Sequence, residues 1–383
     1  MLAVGLMSGT SLDGIDAALV KIEGSGKNTN VKLIDFLTLP MKDELKRNIK
    51  AACSLTESNV ELICSLNFSL GYAFADAVLA LCKKAGVSTK DLDFIASHGQ
   101  TIYHLPKAGE HTTRSTLQIG EAAIIAYQTN TKVISNFRVM DMAAGGEGAP
   151  LVPYSEMMLY AKPRRVVALQ NIGGIGNVSV LPGTDSIDDI YAFDTGPGNM
   201  MIDEACQQLL SLPYDDHGHI SAKGNIIKPL LNELLQHPYM AKQPPKSTGR
   251  EAFGQSFVNE LLQRYQNDDP YDIIATLTSF TAQSIAYHYK TFIGHVDEMI
   301  IGGGGAHNDT LVNELRKLLP ETEILLQEDV GYSSDAKEAI AFVILGNETL
   351  HGHFSNVKSA TGASASVILG TITPAPKGEE HEI

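Results

Sequence analysis

The sequence predicts an α/β protein built from two similar halves. Strand-like apolar segments alternate with longer helical ones, which is typical of a partly parallel sheet covered by helices. A strand–loop–strand unit near the N-terminus recurs about 165 residues later in the same layout. With 383 residues, the chain is also longer than one core of ordinary size requires. We therefore expect two domains that face each other across a ligand cleft.

Composition narrows the class of partner. Hydrophobic residues make up 44% of the chain and charged residues 19%, as in an ordinary globular protein. The net charge of −15 argues against nucleic acid or an anionic membrane as a partner. Four cysteines without a CxxC pattern indicate buried thiols in a reducing compartment. The N-terminus lacks a signal-peptide pattern, and no uninterrupted apolar run reaches about 18 residues, so we expect a cytoplasmic protein without a membrane partner.

The first half alternates between the two element types. Apolar residues recur at three- and four-residue spacing in its long helical stretch, and Gly86 stands where that helix should stop. The predicted elements, in order, are strands "MLAVGLM", "AALVKIEG" and "VKLIDFLTLP", helical stretches "MKDELKRNIKAACS" and "VELICSLNFSLGYAFADAVLALCKKAG", strand then loop "DLDFIASHGQTIYHLP", helix "IGEAAIIAYQTN" and strand "KVISNF".

The second half repeats the opening pattern and then adds helices. The predicted elements are strand–loop–strand "RRVVALQNIGGIGNVSVLPG", a strand entering a helix in "DDIYAFDTGPGNMMIDEACQQLL", helices around 225–235, 257–265 and 272–293, strand "EMIIGGGGAHN", a helix over 310–319, strand "TEILLQ" and helix "SDAKEAIAFVILGNETL". We expect a first domain over 1–140, a second over 141–359, and a return of 360–383 to the first.

Three glycine-rich loops follow apolar strands: "SGTSLDG", "NIGGIGN" and "IGGGGAHN". None of these three loops completes the dinucleotide-binding pattern GxGxxG. A separate segment, "EGSGKNTN", contains Gly-Lys but lacks the first glycine and the Ser/Thr of a P-loop. Glycine nevertheless lets consecutive backbone N–H groups approach an anion, and Ser or Thr adds hydroxyl donors. A tight turn explains any one of these loops, but three in this order favour a phosphate site.

Asp194 in "AFDTGPGN" is the candidate general base. It is predicted to end a strand ahead of a Gly-Pro-Gly turn, where a carboxylate could reach a reacting group. An Asx-turn or a helix N-cap explains the same residue equally well on local grounds.

These segments resemble the anhydro-N-acetylmuramic acid kinase family, within the superfamily of acetate and sugar kinases, Hsc70 and actin. The resemblance is carried by "GLMSGTSLDGIDAALV", "SHGQTIYH", "LQIGEAAIIA", "NFRVMDMAAGGEGAPLVP", "NIGGIGNVS", "FDTGPGNMMID", "GGGGAHN" and "DAKEAIAFVILG". They occur in the family's order along nearly the whole chain, and only the acidic tail beyond about Pro374 has no counterpart.

The resemblance implies a two-domain actin-like ATPase fold and an ATP-dependent kinase that uses Mg²⁺. The substrate would be 1,6-anhydro-N-acetylmuramic acid, whose bridge is opened by water at C1 while O6 is phosphorylated. Asp194 would take the proton from that water, and Asp13 would hold Mg²⁺ through water. A homodimer is also implied. The nucleotide-binding positions would be Gly9, Thr10, Ser11, Leu12, Asp13, Gly14, Ile15, Asp16, Gly173, Gly174, Asn177, Gly303, Gly304 and Gly305, and the substrate-binding positions Thr101 and Glu338.

Other interpretations remain open from the sequence. One is a different small-molecule sugar kinase of the same fold, and another is an actin- or Hsc70-like nucleotide switch. Several polar residues also have simpler explanations: structural or substrate-edge roles for His98, His104 and His111, a solvated turn for 215–220, and a solvated helix position for Glu338.

Overall fold

The computed structural model describes residues 1–9, 12–184, 186–331 and 335–376. The chain divides into two compact units, one formed by Met1–Tyr160 with Asp335–Ile383 and the other by Ala161–Ser334. We call them the first and the second unit. Thr10 and Ser11 of the predicted phosphate loop and residues 377–383 of the acidic tail lie outside the described residues.

The first unit is built on a mixed seven-stranded sheet in the order β12-β6-β4-β1-β2-β3, with β5 paired to β4. Strands β1, β2 and β3 form an antiparallel meander, while β4 runs parallel to β1 and to β6. The strands are β1 (Leu2–Ser8), β2 (Gly14–Glu23), β3 (Asn30–Pro40), β4 (Phe94–Leu105), β5 (Ser115–Ile119), β6 (Val133–Ser135) and β12 (Thr371–Thr373).

The helices of the first unit cover this sheet. The longest helix, α2, starts at the N-cap Asn59 and ends at Gly86, which adopts the left-handed conformation and confirms the predicted stop. Leu19, Phe74 and Ile95 belong to the core between α2 and the sheet. The helices are α1 (Asp43–Cys53), α2 (Val60–Ala85), α3 (Ala122–Thr129), α4 (Val139–Ala143), α5 (Val152–Tyr160), α13 (Lys337–His351) and α14 (Lys358–Thr361).

The second unit has a five-stranded sheet in the order β11-β10-β7-β8-β9. Again three strands form an antiparallel meander, β7-β8-β9, and the next strand, β10, runs parallel to the first of them. The two meanders confirm the predicted repeat. The strands are β7 (Val167–Ile172), β8 (Ile175–Leu181), β9 (Tyr191–Pro197), β10 (Glu298–Gly302) and β11 (Glu323–Leu326).

Helix α11 is the central helix of the second unit. Its residues are buried along almost the whole length, and they enter two cores, one against the sheet and one among the neighbouring helices. The helices are α6 (Met200–Leu210), α7 (Lys228–Leu235), α8 (Pro238–Ala241), α9 (Arg250–Phe253), α10 (Gln255–Arg264), α11 (Pro270–His288), continued by a π-helical turn (Tyr289–Ile293), and α12 (Asp309–Leu318).

The α/β class with two similar units, as expected for the actin-like superfamily, is confirmed by the two mixed sheets. The second unit was expected to span residues 141–359, but it spans Ala161–Ser334. Residues 141–160 and 335–359 belong to the first unit. The reason is the packing of α13, which lies so close to β1 that a Cβ on Gly5 would fall 1.9 Å from the carbonyl oxygen of Ala339. Lys337 of α13 also pairs with Glu156 of α5 at 2.6 Å.

Three details depart from expectation. The segment "SHGQTIYHL", predicted as strand then loop, continues β4 because it pairs with β5. Cys53 and Cys64 are exposed, so the expected burial holds only for Cys82 and Cys206; all four thiols are free. Helix α2 is long and apolar enough to span a membrane by length and composition alone, a test that core helices of soluble proteins also pass.

Candidate functional site

The first candidate loop joins β1 to β2 in the first unit. In the described part of this loop, the backbone is available to a ligand, whereas some of the side chains are not. The side chains of Leu12 and Ile15 lie in the core, so a nucleotide could reach only their main chain. Leu12 has a φ of 59°, which turns the chain ahead of β2. Asp13 is exposed.

Asp16 of β2 lies close to other carboxylates of the first unit. Its Oδ1 accepts a hydrogen bond from the Thr38 hydroxyl at 2.6 Å. Burial raises the pKa of Asp16, and the charges of Asp335 and Asp13 raise it further, against the Thr38 hydrogen bond. A cation would relieve this repulsion, so the residues fit a hydrated Mg²⁺, which binds through few carboxylates and keeps its water. In the described parts of the chain, no three His, Cys, Asp or Glu residues are grouped closely enough to hold a metal alone.

The second candidate loop is the turn between β7 and β8. Its carbonyl groups are held by the start of α6, since the Asn199 N–H donates to Gly173 at 2.7 Å and the Gly198 N–H to Gly174 at 2.9 Å. A Cβ on Gly174 would meet nothing nearer than the Met200 side chain at 3.4 Å, and one on Gly173 nothing within 3.6 Å. The fold therefore leaves room beside both glycines, as a bound phosphate would require.

Three polar residues stand side by side on neighbouring strands of the second unit. Asn177 of β8 is the direct cross-strand partner of Asn171 on β7 and of Asp194 on β9. Directly opposed residues of antiparallel strands point to the same face, and all three residues are half-buried. Two amides and a carboxylate thus line one patch of the sheet beside the turn between β7 and β8. Asn171 was not among the predicted site residues.

Asp194 lies within β9 and not at the start of a helix, so the N-cap explanation is wrong; Asn199 is the N-cap of α6. The Asp194 Oδ2 accepts a hydrogen bond from the Thr248 N–H at 2.8 Å. No described residue donates a hydrogen bond to Oδ1. Burial raises the pKa of the carboxyl group, the Thr248 hydrogen bond lowers it and Glu251 raises it. A half-buried carboxylate with one free oxygen and a raised pKa suits a general base.

The third candidate loop follows β10. Gly303 has a φ of 81° and approaches Asn171, whose Oδ1 would lie 2.7 Å from a Cβ there; Gly305 approaches Ile172. These two glycines are required by packing, whereas Gly304 has room for a side chain. Beside Gly304 lies a cavity of about 470 Å³, within the size range of small-molecule sites. Its lining includes Asn199, Asp203, Tyr214, His307 and Asn308.

The predicted sugar-binding residues belong to the first unit. The Thr101 hydroxyl, on β4, accepts a hydrogen bond from the Gln118 amide at 3.2 Å. Glu338 is an exposed residue in the first turn of α13. Desolvation by surrounding groups raises its pKa, Lys337 and Arg138 lower it, and Asp16 raises it. The structure thus brings Glu338 near Asp16 and Arg138.

The histidines and the 215–220 turn can now be placed. His98 is buried and accepts a hydrogen bond from Arg138, so its structural interpretation stands; His104 contacts the Thr116 hydroxyl and His111 is exposed. The expected solvated turn is wrong at Asp215. This carboxylate is buried and accepts hydrogen bonds from Ile220 and Ser221, which fixes one wall of the cavity beside Gly304.

Sequence reasoning also missed the neighbours of Asp194. Thr248 donates to its carboxylate, Lys246 accepts from its N–H at 3.1 Å, and Tyr239 donates to its carbonyl at 2.8 Å. Only the polar run "KSTGRE" gave a signal, because such a run between helices commonly forms a functional loop.

The chain is similar over nearly its whole length to proteins of one family. A family model described as anhydro-N-acetylmuramic acid kinase matches residues 1–375. A protein of that name from Clostridioides difficile (strain 630) is 59% identical over 381 residues, covering 99% of this chain and all of the relative. One from Bacillus cereus (strain Q1) is 58% identical over 378 residues, covering 97% and 99%. One similar solved structure is the activator of the 2-hydroxyisocaproyl-CoA dehydratase from Clostridium difficile with bound ADPNP, which is 12% identical over 93% of this chain and 99% of that chain. Its TM-score of 0.45 is too low to support an argument.

Proposed function

The chain belongs to the anhydro-N-acetylmuramic acid kinase family, and we propose how its residues carry out that family's reaction. It is an ATP-dependent kinase that opens 1,6-anhydro-N-acetylmuramic acid with water and phosphorylates O6, giving N-acetylmuramic acid 6-phosphate during recycling of cell-wall sugars. The roles of individual residues below are our proposal.

Asp194 acts as the general base. Its carboxylate takes a proton from water, the water oxygen forms a bond to C1, and the bond from C1 to O6 breaks. The freed O6 forms a bond to the γ-phosphorus, and the bond from that phosphorus to ADP breaks. The observation that carries this assignment is the free Oδ1 of a half-buried carboxylate, next to the turn whose glycines leave room for a phosphate.

The glycine-rich loops bind ATP. Backbone N–H groups of Gly9–Asp16 and of Gly173 and Gly174 contact the phosphates, since glycine permits the close approach that an anion nest needs. Asn177 adds an amide donor next to Asp194. Gly303–Gly305 and the adjoining cavity hold the other end of the nucleotide, because that cavity has the volume for a planar base and a sugar.

Asp13 would hold Mg²⁺ through water, with Asp16 close by, and the cation would neutralise charge on the transferred phosphoryl group. Thr101 and Glu338 contact the anhydro sugar. We also propose, on the resemblance alone, a cytoplasmic location and a homodimer; sedimentation of the purified protein tests the dimer.

Replacement of the base tests the proposal. Asn can accept a hydrogen bond but cannot take up a proton at neutral pH. Asp194→Asn should therefore lower kcat by at least about a hundredfold, the lower end of what general-base catalysis contributes. The measurement is steady-state formation of the phosphorylated sugar, with the thermal shift given by Mg·ATP as a binding control.

Asp268→Asn is the matched control, because Asp268 is an exposed carboxylate of the same unit that takes no part in the proposed site. It should turn over like the parent. Near-normal activity of Asp194→Asn would show that Asp194 is not the base. If the parent phosphorylated other sugars but not the anhydro amino sugar, the substrate assignment would be overturned.

A further inference from the structure

The chain segment 246–248 holds Asp194 on two sides. The Asp194 N–H donates to the Lys246 carbonyl at 3.1 Å, and the Thr248 N–H donates to the Asp194 carboxylate at 2.8 Å. The segment has no regular secondary structure, so no sheet or helix fixes it. Whatever fixes this segment therefore also fixes the direction of the carboxylate.

The Lys246 side chain anchors the segment. Lys246 is only 6% exposed. Its Nζ lies 2.6 Å from Nε2 of His288 and 3.3 Å from the Tyr239 carbonyl. The same ammonium stands over the rings of Tyr239 and Phe292, at 4.7 and 4.6 Å from their centres, as in a cation–π contact.

The hydrogen-bond directions in this cluster follow from His288. Its Nδ1 lies 2.6 Å from the Ser284 carbonyl, which can only accept, so Nδ1 carries the proton and Nε2 accepts from Lys246. His288 is fully buried, and burial lowers its pKa to about 4, so the ring is neutral at pH 7. Burial, and next the charge of Lys242, lower the pKa of Lys246 to about 8, which leaves it protonated at pH 7.

The cluster also reaches β9 through a second path. Ser284, which accepts from His288, donates its own hydroxyl to the carbonyl of Thr195 at 2.6 Å. Tyr239, which accepts from Lys246, donates its hydroxyl to the carbonyl of Asp194. The lysine anchor and the strand that carries the carboxylate are thus connected through Tyr239 and through the hydrogen-bonded residues His288 and Ser284.

We propose that Lys246 is a positioning residue for Asp194: through His288 and Tyr239 it fixes the segment 246–248, whose main chain orients the carboxylate. The proposal rests on the proposed role of Asp194 as base. No described carboxylate forms an ion pair with Lys246, and burying an unpaired ammonium costs more than burying an apolar chain of similar length. Packing alone would therefore be served better by methionine. What the lysine adds is directed hydrogen bonding.

Lys246→Met tests the inference, because it keeps the unbranched chain and removes the donor. We expect kcat to fall about tenfold or more, as for small misplacements of a catalytic group, while KM for Mg·ATP changes less than about twofold. The acid limb of the rate profile should move to higher pH, since a weakened Thr248 hydrogen bond stabilises the Asp194 carboxylate less. A merely structural role would not move that limb. The groups that titrate around Lys246 are His288, Tyr239 and Lys242, with Glu251 near Asp194.

A double-mutant cycle separates the two proposals. In the Asp194→Asn background, Lys246→Met should cause no further loss of kcat, because it acts only through that carboxylate. If the two losses of kcat multiply in the double mutant, the positioning role of Lys246 is overturned while the role of Asp194 as base stands. An inactive Asp194→Asn with a fully active Lys246→Met would do the same. A fully active Asp194→Asn would overturn the base itself.

Lys242→Met is the matched control, because Lys242 is an exposed lysine four residues earlier in the chain, and this variant should keep the parent's kcat. Should Lys246→Met fail to fold, His288→Phe carries the test. It removes the ring nitrogen that accepts from the Lys246 ammonium and keeps an aromatic ring at that position. It should lower kcat several-fold with the same shift of the acid limb, and a parent-like profile would count against the proposal.

Discussion

Both units contain a buried neutral histidine beside a cation, and the two pairs differ in the kind of cation. In the first unit, the Arg138 Nε donates to Nε2 of His98 at 3.0 Å, and Nδ1 of His98 lies 2.9 Å from the Gly99 carbonyl. In the second unit, Lys246 takes the place of the arginine and His288 that of His98. In each pair the ring donates to a backbone carbonyl and accepts from the cation.

The cations are held in place differently. Arg138 also donates to the Gly148 carbonyl at 2.7 Å, so its planar group is fixed by two hydrogen bonds in one plane. Lys246 is held by one ring nitrogen, one carbonyl and two aromatic faces. Arginine stays charged at any pH a protein survives, whereas a buried lysine can lose its proton. The two units should therefore respond alike to acid and differently to alkali.

Acid gives the largest expected effect. Burial, with the charge of Arg138, lowers the pKa of His98 to about 3, and burial lowers that of His288 to about 4. Both values lie below the unfolded value, so the unfolded chain binds protons first and stability is lost as pH falls from about 6.5. The full loss is roughly 5 kcal/mol for His98 and roughly 3 kcal/mol for His288.

His98→Gln and His288→Gln remove the titration and keep an acceptor for the cation. Between pH 7 and pH 4, each variant should lose less unfolding free energy than the parent, as measured by urea unfolding. The difference from the parent should be larger for His98→Gln. Equal slopes in parent and variants would mean that folding does not lower the pKa of either ring.

Alkali gives the next effect and is expected in the second unit alone. Burial holds the pKa of Lys246 at about 8, below its ordinary value, so the folded chain releases this proton first. Stability should therefore rise from about pH 8 to about 10.5, by roughly 3 kcal/mol in total. Lys246→Met should lack this rise, and Arg138→Met should retain it. The check is the free energy of unfolding of the three proteins at pH 7.5 and pH 9.5, and a rise that survives in Lys246→Met would assign it to another group.

The two hairpins were predictable because their signals are local. Short apolar segments on both sides of Gly- and Ser-rich loops predict the β1–β2 and β7–β8 pairs, and Gly86 marks the end of α2. The role of Asn171 could have been found as well. Counting outward from Gly174, the middle residue of the second hairpin turn, places Asn171 opposite Asn177, the residue that was predicted.

The Asp194 surroundings were not predictable in the same way. Residues 194, 239, 246 and 288 are brought together by a strand, a short helix, an irregular segment and a long helix. Hydrogen bonds between such distant positions leave no periodic pattern in the sequence. The limits of the units were missed for a related reason, because the need for glycine at Gly5 arises from a helix more than three hundred residues later.

The hairpin glycines differ between the units in what requires them, and this gives the smallest expected effect. A Cβ on Gly14 would lie 2.5 Å from the Thr38 side chain and 2.7 Å from the Leu39 carbonyl, so packing against β3 requires that glycine. A Cβ on Gly174 would lie 3.4 Å from the nearest atom, so packing does not require glycine at that position.

Gly14→Ala should therefore lower the Tm of the protein without nucleotide. Gly174→Val should leave that Tm nearly unchanged and abolish the stabilisation by Mg·ATP, which is about 2.7 kcal/mol at a hundredfold excess over Kd. Thermal melts of both variants with and without Mg·ATP make the comparison. A Gly174→Val protein that keeps the parent's full shift would remove this turn from the phosphate site, because a branched side chain and a phosphate cannot share that space.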